Sequence, residues 1–409
     1  MKLVIHRGTN EIGGNCIELM SANERIVFDV GLPLNALDKN LDIKNYQPDI
    51  QGLFDEKTAV SAVFLSHAHP DHYGLLSRIN KDIPVYMSKA AAIILKEIMP
   101  LFKKETYENL IIKEIADGEE IKIGSFIIKA HAVDHSATGA MAFEILAENK
   151  KILYSGDIRF HGRRAWQSQK FVKTLTQPDY LLLEGTTLGR KKQEQQTEED
   201  IENRLIELFA QSKLSLIAFS SQNIDRLVSV YKACLRNNRI LVLDPYTCFT
   251  LDKFQAISTH LPQFDWRNIR VYFAVNSFTK DLAKNGTLYK YKKAKVRFDE
   301  LLESPEKYVV KANFVITKKL IDKIGAEKMQ LIYSLWKGYL DKAIYWSDYK
   351  DDVIYVHTSG HAYTKDLQKF VETVHPQNII PIHTECKNTY AELFAVNVIP
   401  LNDNEEIEL

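Results

Sequence analysis

Between Ser66 and His72 the chain reads Ser-His-Ala-His-Pro-Asp-His, directly after the apolar run Ala62-Val63-Phe64-Leu65. Burying three imidazoles and a carboxylate without partners would be costly, so this segment calls for a metal. Alternate side chains of an extended segment share a face, which aligns His67, His69 and Asp71, and a turn at Pro70 lets His72 join them. Imidazole nitrogen with carboxylate oxygen suits zinc, or manganese as the carboxylate share rises. Any fold open to this chain must therefore deliver the end of an apolar strand to a metal.

The spacing H-x-H-x-D-H resembles the signature of the metallo-β-lactamase superfamily, and stretches resembling that family's other ligand motifs follow in order. Val133-Asp134-His135-Ser136, after the strand-like Phe126 to Ala130, resembles the third histidine motif. His131 competes for this role, but the His-Ser pair leading to Gly139 favours His135. Tyr154-Ser155-Gly156-Asp157 resembles the motif whose aspartate bridges two metals, and Ile379-Ile380-Pro381-Ile382-His383 the last ligand. The resemblance implies two metal ions, one held by His67, His69 and His135, the other by Asp71, His72 and His383, with Asp157 between. Asp29, ending the strand-like Arg25 to Phe28, resembles the aspartate that braces the ligand loop, a capped strand end being the alternative.

The stretch from Asp157 to His383 is much longer than a compact lactamase needs, so an insertion is expected. Leu181-Leu182-Leu183-Glu184-Gly185-Thr186-Thr187 resembles motif A of the β-CASP nucleases, and His357-Thr358-Ser359-Gly360-His361-Ala362 resembles motif B, His383 doubling as motif C. Within that group the likeness is to the ribonuclease J branch, supported by Gly8-Thr9-Asn10-Glu11-Ile12-Gly13-Gly14-Asn15 and Pro381-Ile382-His383-Thr384-Glu385. Phe219-Ser220-Ser221 resembles that branch's phosphate-contacting loop. The chain departs from the branch in stopping at Leu409 and in carrying Tyr333-Ser334-Leu335-Trp336-Lys337-Gly338-Tyr339 where a Ser-Gln-Gly-Glu segment is usual.

The fold so implied is α/β, a metallo-β-lactamase αββα sandwich with an inserted parallel-sheet β-CASP domain. The expected divisions are 1–186, an insert at 187–345, and completion of the sandwich at 346–409. Periodicity agrees: Ile224, Leu227, Val228, Tyr231 and Leu235 mark an amphipathic helix between strand-like Leu214 to Phe219 and Ile240 to Leu243, a β-α-β unit that predicts a parallel sheet. A chain of 409 residues exceeds what one core usually serves.

Lys plus Arg and Asp plus Glu both total 53, so no global field steers the chain to a polyanion, and a nucleic-acid site must be a local patch. Basic residues cluster at Arg159, Arg163 and Arg164, at Arg190-Lys191-Lys192, and from Lys290 to Arg297. The first two flank Asp157 and Glu184 and are candidate phosphate binders; the third reads as a solvated helix face. Four cysteines without a C-x-x-C pair read as reduced and buried, with Cys386 starting a helix beside His383. No apolar run approaches the ~20 residues that span a bilayer, and Met1 to Arg7 turns polar too soon for a signal peptide, so a soluble cytoplasmic protein is expected.

The activity implied is hydrolysis of phosphodiester bonds in single-stranded RNA by a hydroxide shared between two divalent cations, zinc by preference, with Asp71 in the catalytic set. DNA as substrate, exonuclease against endonuclease action, and association into a homodimer stay open. His361 is the candidate general acid, oriented by Glu184. Ser220, Ser221, His357 and Ser359, with Arg159, Arg163 and Arg190, are the candidate phosphate contacts. The alternative is a hydrolase of a thioester, lactone or other non-nucleic-acid ester on the same scaffold.

Overall fold

The computed structural model describes residues 1–37, 43–57, 59–102, 107–175, 177–190 and 195–409. Lys191 and Lys192 of the second basic cluster lie outside the described residues. The chain divides into two compact units, Met1–Glu194 with Gly360–Leu409, and Gln195–Ser359.

In the first unit two seven-stranded sheets face each other. One has the order Glu406–Glu408, Lys2–Arg7, Cys16–Ser21, Glu24–Phe28, Ala62–Phe64, Pro84–Ser88, Ile111–Ile115; the other runs Asn397–Val398, Asn378–Ile382, Tyr180–Glu184, Lys150–Tyr154, Met141–Ala147, Phe126–Ala132, Glu120–Ile123. Alternation turns Ile26 and Phe28 from one sheet, and Phe126, Ile128, Phe143, Ile145 and Tyr154 from the other, into one core. Phe28 stacks on Phe64 at 5.3 Å and meets Phe143 at 5.3 Å, contacts worth about 0.5–1.5 kcal/mol each beyond the area they bury. Helices Ala165–Thr174 and Thr364–Val374 cover the outer face of the second sheet through Phe171, Leu367, Phe370 and Val371. This is the expected sandwich.

Strand direction positions the site. Glu24–Phe28 and Ala62–Phe64 are parallel neighbours, so Asp29 and the His67 loop emerge at the same edge. Lys150–Tyr154, Tyr180–Glu184 and Asn378–Ile382 are parallel too, with Tyr154 opposite Leu182 and Glu184 opposite Ile382, so Asp157, Glu184 and His383 leave one edge together. Ligands collect beyond the carboxyl ends of such strands.

The second unit holds a six-stranded, wholly parallel sheet in the order Ile269–Val271, Ile240–Leu243, Tyr308–Lys311, Leu214–Ala218, Met329–Tyr333, Ile354–Tyr355. The expected helix is present as Ile224–Arg236, capped by Asn223. The two strands it joins are not neighbours, because Tyr308–Lys311 lies between them. The unit also runs on to Ser359 rather than ending at 345. Its last strand, Ile354–Tyr355, is only two residues long, too short to register as a hydrophobic period, and it carries His357, Thr358 and Ser359 into this unit.

Candidate metal centre

His69 has extended backbone, φ −105° and ψ 145°, but the expected alternation ends there. Pro70 opens a helical turn, Pro70–Tyr73, its missing N–H costing nothing at the first helical position. Asp71 and His72 therefore leave from a helix, and Asp71 turns to His383 at 3.4 Å instead of towards His67 and His69.

Around these the fold gathers all seven expected ligands. His67 Nε2 is 3.1 Å from His69 Nδ1, which is 3.3 Å from His135 Nε2. Asp157 sits at the middle: its Oδ2 lies 3.5 Å from His67, 3.2 Å from His72 and 3.9 Å from His135, and its Oδ1 3.8 Å from His383. Ligand atoms of His67, His69 and His135 lie close enough together to hold an ion, as do those of Asp71, His72 and His383. His131 is not among them; it pairs with Glu144 at 3.3 Å and packs on Phe171.

The donor set fits a cation on two counts. Among the described residues Asp157 Oδ1 is buried without a hydrogen-bond partner, an expense that a metal would remove. Burial, reinforced by neighbouring imidazoles, holds His67 and His135 well below the ordinary histidine range, the neutral form that binds metal. Burial alone would raise the carboxyls of Asp157 and Asp71, but the surrounding histidines outweigh it and keep Asp157 well below its usual range and Asp71 down to about 2.

Supporting contacts orient the rings of His72 and His383. Asp29, at φ 57°, accepts from His72 Nδ1 at 2.8 Å, from the Ser66 hydroxyl and amide at 2.7 Å each, and from the Tyr154 hydroxyl at 2.5 Å. That fixes the proton on Nδ1 of His72 and turns Nε2 to the cluster. Thr186 holds His383 Nδ1 at 2.7 Å. Arg164 donates to the His135 carbonyl at 3.2 Å. Sequence reading missed Ser66, Tyr154, Thr186 and Arg164, because ordinary polar residues carry no spacing that marks them as supports.

Beside the cluster His361 Nδ1 is 3.2 Å from Glu184 Oε1 and 3.7 Å from Asp157 Oδ2. Glu184 is itself held by the amides of Ile158 and Thr186 at 3.2 and 3.0 Å. Burial opposes a charge on His361, but Glu184 and Asp157 outweigh it and raise its pKa, while the charge of Arg190 works the other way. In return Glu184 is held below its usual range despite burial, which alone would raise it.

The other candidates are placed differently. Arg159 is not available as a phosphate binder: it is fully buried, its Nε 3.1 Å from Asp134, because the residue two past Asp157 bridges the backbone of Asp134, next to His135. Arg163 is half-buried on the following loop. In the second unit Ser220 is exposed, while Ser221 is buried against Thr247 at 2.8 Å. His357 Nδ1 lies 3.3 Å from the Ser334 carbonyl, Thr358 reaches the Gln196 carbonyl, and Ser359 is half-buried. Three cysteines are buried and Cys386, ahead of the short helical turn Lys387–Thr389, is half-buried. Among the described residues no helix is long and apolar enough to cross a membrane.

Residues 37–211 match the beta-lactamase superfamily domain, and residues 349–398 match the Zn-dependent metallo-hydrolase RNA specificity domain. The chain is 24% identical to ribonuclease J of Mycoplasma genitalium, over 94% of this chain and 68% of that one, and 23% identical to ribonuclease J of Mycoplasma pneumoniae over the same shares. Ribonuclease J of Sinorhizobium meliloti is 24% identical over 86% of this chain and 63% of its own length. A crystal structure of a protein of unknown function from Enterococcus faecalis superposes with a TM-score of 0.79 at 22% identity, over 100% of this chain and 99% of that one. That likeness shows the fold.

Proposed function

Since this chain is a β-CASP metallo-β-lactamase protein of the ribonuclease J-like type, we propose that it hydrolyses RNA at a dinuclear metal centre built by His67, His69, His135, Asp71, His72, His383 and Asp157. The observation that carries this is Asp157, whose Oδ2 lies near His67, His72 and His135 and whose Oδ1 lies near His383, so that one carboxylate touches both proposed ligand sets. Zinc suits the imidazole-rich donors, and manganese the carboxylate share.

Cations held there would lower the pKa of a bound water and polarise a phosphoryl oxygen. The chain's own residues do the rest. Asp71 and Asp157 set the charge of the site, and their anionic form is held by the surrounding histidines. His361 donates the proton needed by the leaving oxygen of the scissile phosphodiester. Because Glu184 accepts from Nδ1, that proton departs from Nε2, and the carboxylate keeps the imidazolium populated near neutral pH. Ser220, Ser221, His357 and Ser359 of the second unit, with Arg163 and Arg190 of the first, are the proposed phosphate contacts. The domain divisions that follow are those of the two compact units.

The test is elemental analysis of metal-supplemented protein together with incubation on end-labelled RNA and DNA. Two transition-metal ions per chain and metal-dependent RNA products are expected. One ion or none overturns the dinuclear centre, and intact RNA beside hydrolysed thioester or lactone overturns the substrate.

A further inference from the structure

In the run from Lys290 to Arg297, Lys290 pairs with Asp252, Lys293 with Asp265 and Arg297 with Glu300. Three other cations of the second unit converge on one cleft. Arg267, Arg270 and Lys307, from separate segments, line a cleft of about 390 Å³ with Asn238, Asn268 and Ile240, and among the described residues none of the three has an ion-pair partner. The guanidinium of Arg270 donates to the Ile269 carbonyl at 2.7 Å.

The cleft is built rather than incidental. Between Asn238 and Ile240 of its lining, Arg239, 4% exposed, donates to the carbonyls of Phe209, Gln211, Lys213 and Tyr308 at 3.0, 3.2, 2.8 and 2.5 Å, tying that segment to the end of a helix and to the approaches of two strands. Its Nε has no partner, and its charge adds to the local field. Asn238 and Asn268 both take left-handed φ, 52° and 66°, which asparagine tolerates, and Asn268 donates to the Arg239 carbonyl at 3.0 Å. Tyr231 anchors the Arg267 carbonyl at 3.2 Å. The carboxylate of Glu306 bears on Arg239, but no acid lines the cleft.

Its position separates it from the phosphate contacts proposed above. Ser215 is opposite Val309, and Val309 opposite Leu241, so Asn238 and Lys307 precede the start of the parallel sheet while Ser220 follows its end. At ~3.3 Å per residue the intervening five-residue strand Leu214–Ala218 alone is about 16 Å long. We propose that this cleft is a second phosphate-binding site, taking two or more linked phosphate groups carried by an oligonucleotide strand or by a free polyphosphate. Three unpaired cations with amide donors beside them match such a ligand, whereas a single carboxylate would leave charge uncompensated.

The experiment follows hydrogen exchange of the metal-loaded protein with two probes, inorganic pyrophosphate and an uncleavable 2′-O-methyl RNA dodecamer. Either probe should protect the amides of residues 267–270 and 307–308. The combined variant Arg267→Gln, Arg270→Gln, Lys307→Gln should lose that protection and bind the effective probe roughly tenfold or more weakly, since hydrogen bonds to charged groups are lost. Protection around His67 to His72 should persist in the variant, and an unchanged melting profile shows that the fold is intact. Protection by the dodecamer alone identifies a strand as the source, with a salt slope about 2 smaller in the variant; protection by pyrophosphate alone identifies a free polyphosphate. No protection by either probe, or equal protection in the variant, overturns the proposal. The RNA arm rests on the RNA-hydrolase reading, whose failure would show separately as intact labelled RNA.

Discussion

Replacing Asp29 by Asn tests the support of the metal centre without disturbing its backbone. Asn tolerates the φ of 57° at this position, so strain is not introduced. The loss is in hydrogen bonds. One carboxylate oxygen accepts from His72, the Ser66 hydroxyl and the Tyr154 hydroxyl, and the other from the Ser66 amide. An Asn carbonyl can take the three-donor position, but its NH₂ then faces the Ser66 N–H, donor against donor, at a cost of about 1–3 kcal/mol. The imidazole of His72 also loses an anionic partner. Loss of such a support weakens metal binding by about 10–100-fold, or about 1.4–2.7 kcal/mol. Because His72 belongs with Asp71 and His383, one of the two ions should be affected chiefly. Competition against a chelating dye, with melting of the metal-free protein alongside, reads both quantities. Parent affinity for both ions together with an unchanged melt would refute the argument.

His361→Ala should keep both metals yet lose on the order of 10²–10⁴ in rate on RNA, and far less on a nitrophenyl phosphodiester whose leaving group needs no proton; Glu184→Gln should show the same contrast more mildly. Parent rates on RNA for both variants would make the pair structural. His135→Ala should reduce metal occupancy by elemental analysis while His131→Ala leaves it unchanged, since His131 is bound to Glu144 away from the cluster; the reverse pattern would reassign the ligand. In the second unit Arg226 and Glu198 form a buried pair at 2.9 Å, so Glu198→Ala should cost about 3–5 kcal/mol in denaturant unfolding by stranding the guanidinium, and a change below about 1 kcal/mol would show that water or Ser334 compensates.

The ligand loop was legible because its chemistry is local: His67, His69, Asp71 and His72 lie within one strand end and one turn. Asp157, Glu184 and His383 could be named as candidates because each follows or closes an apolar run, and parallel strands deliver such ends to one edge. What the one-dimensional pattern could not carry was direction. Arg159, two residues from Asp157 in the chain, is a phosphate candidate by proximity, but the backbone past Asp157 pairs it with Asp134 in the interior. Asp71 seemed to share a face with His67 and His69 until Pro70 began a helical turn and swung it to His383. The contacts of Asp29 with Tyr154, and of Thr186 with His383, join segments far apart in the chain, and the two-residue strand Ile354–Tyr355 exists only because Met329–Tyr333 offers it an edge. Residue types and their spacing select a metal-binding chemistry, since donor atoms and apolar periods are properties of the chain itself. Which of those donors share one small volume is decided by the packing of the two sheets, because burial and strand direction depend on neighbours that the order of residues does not name.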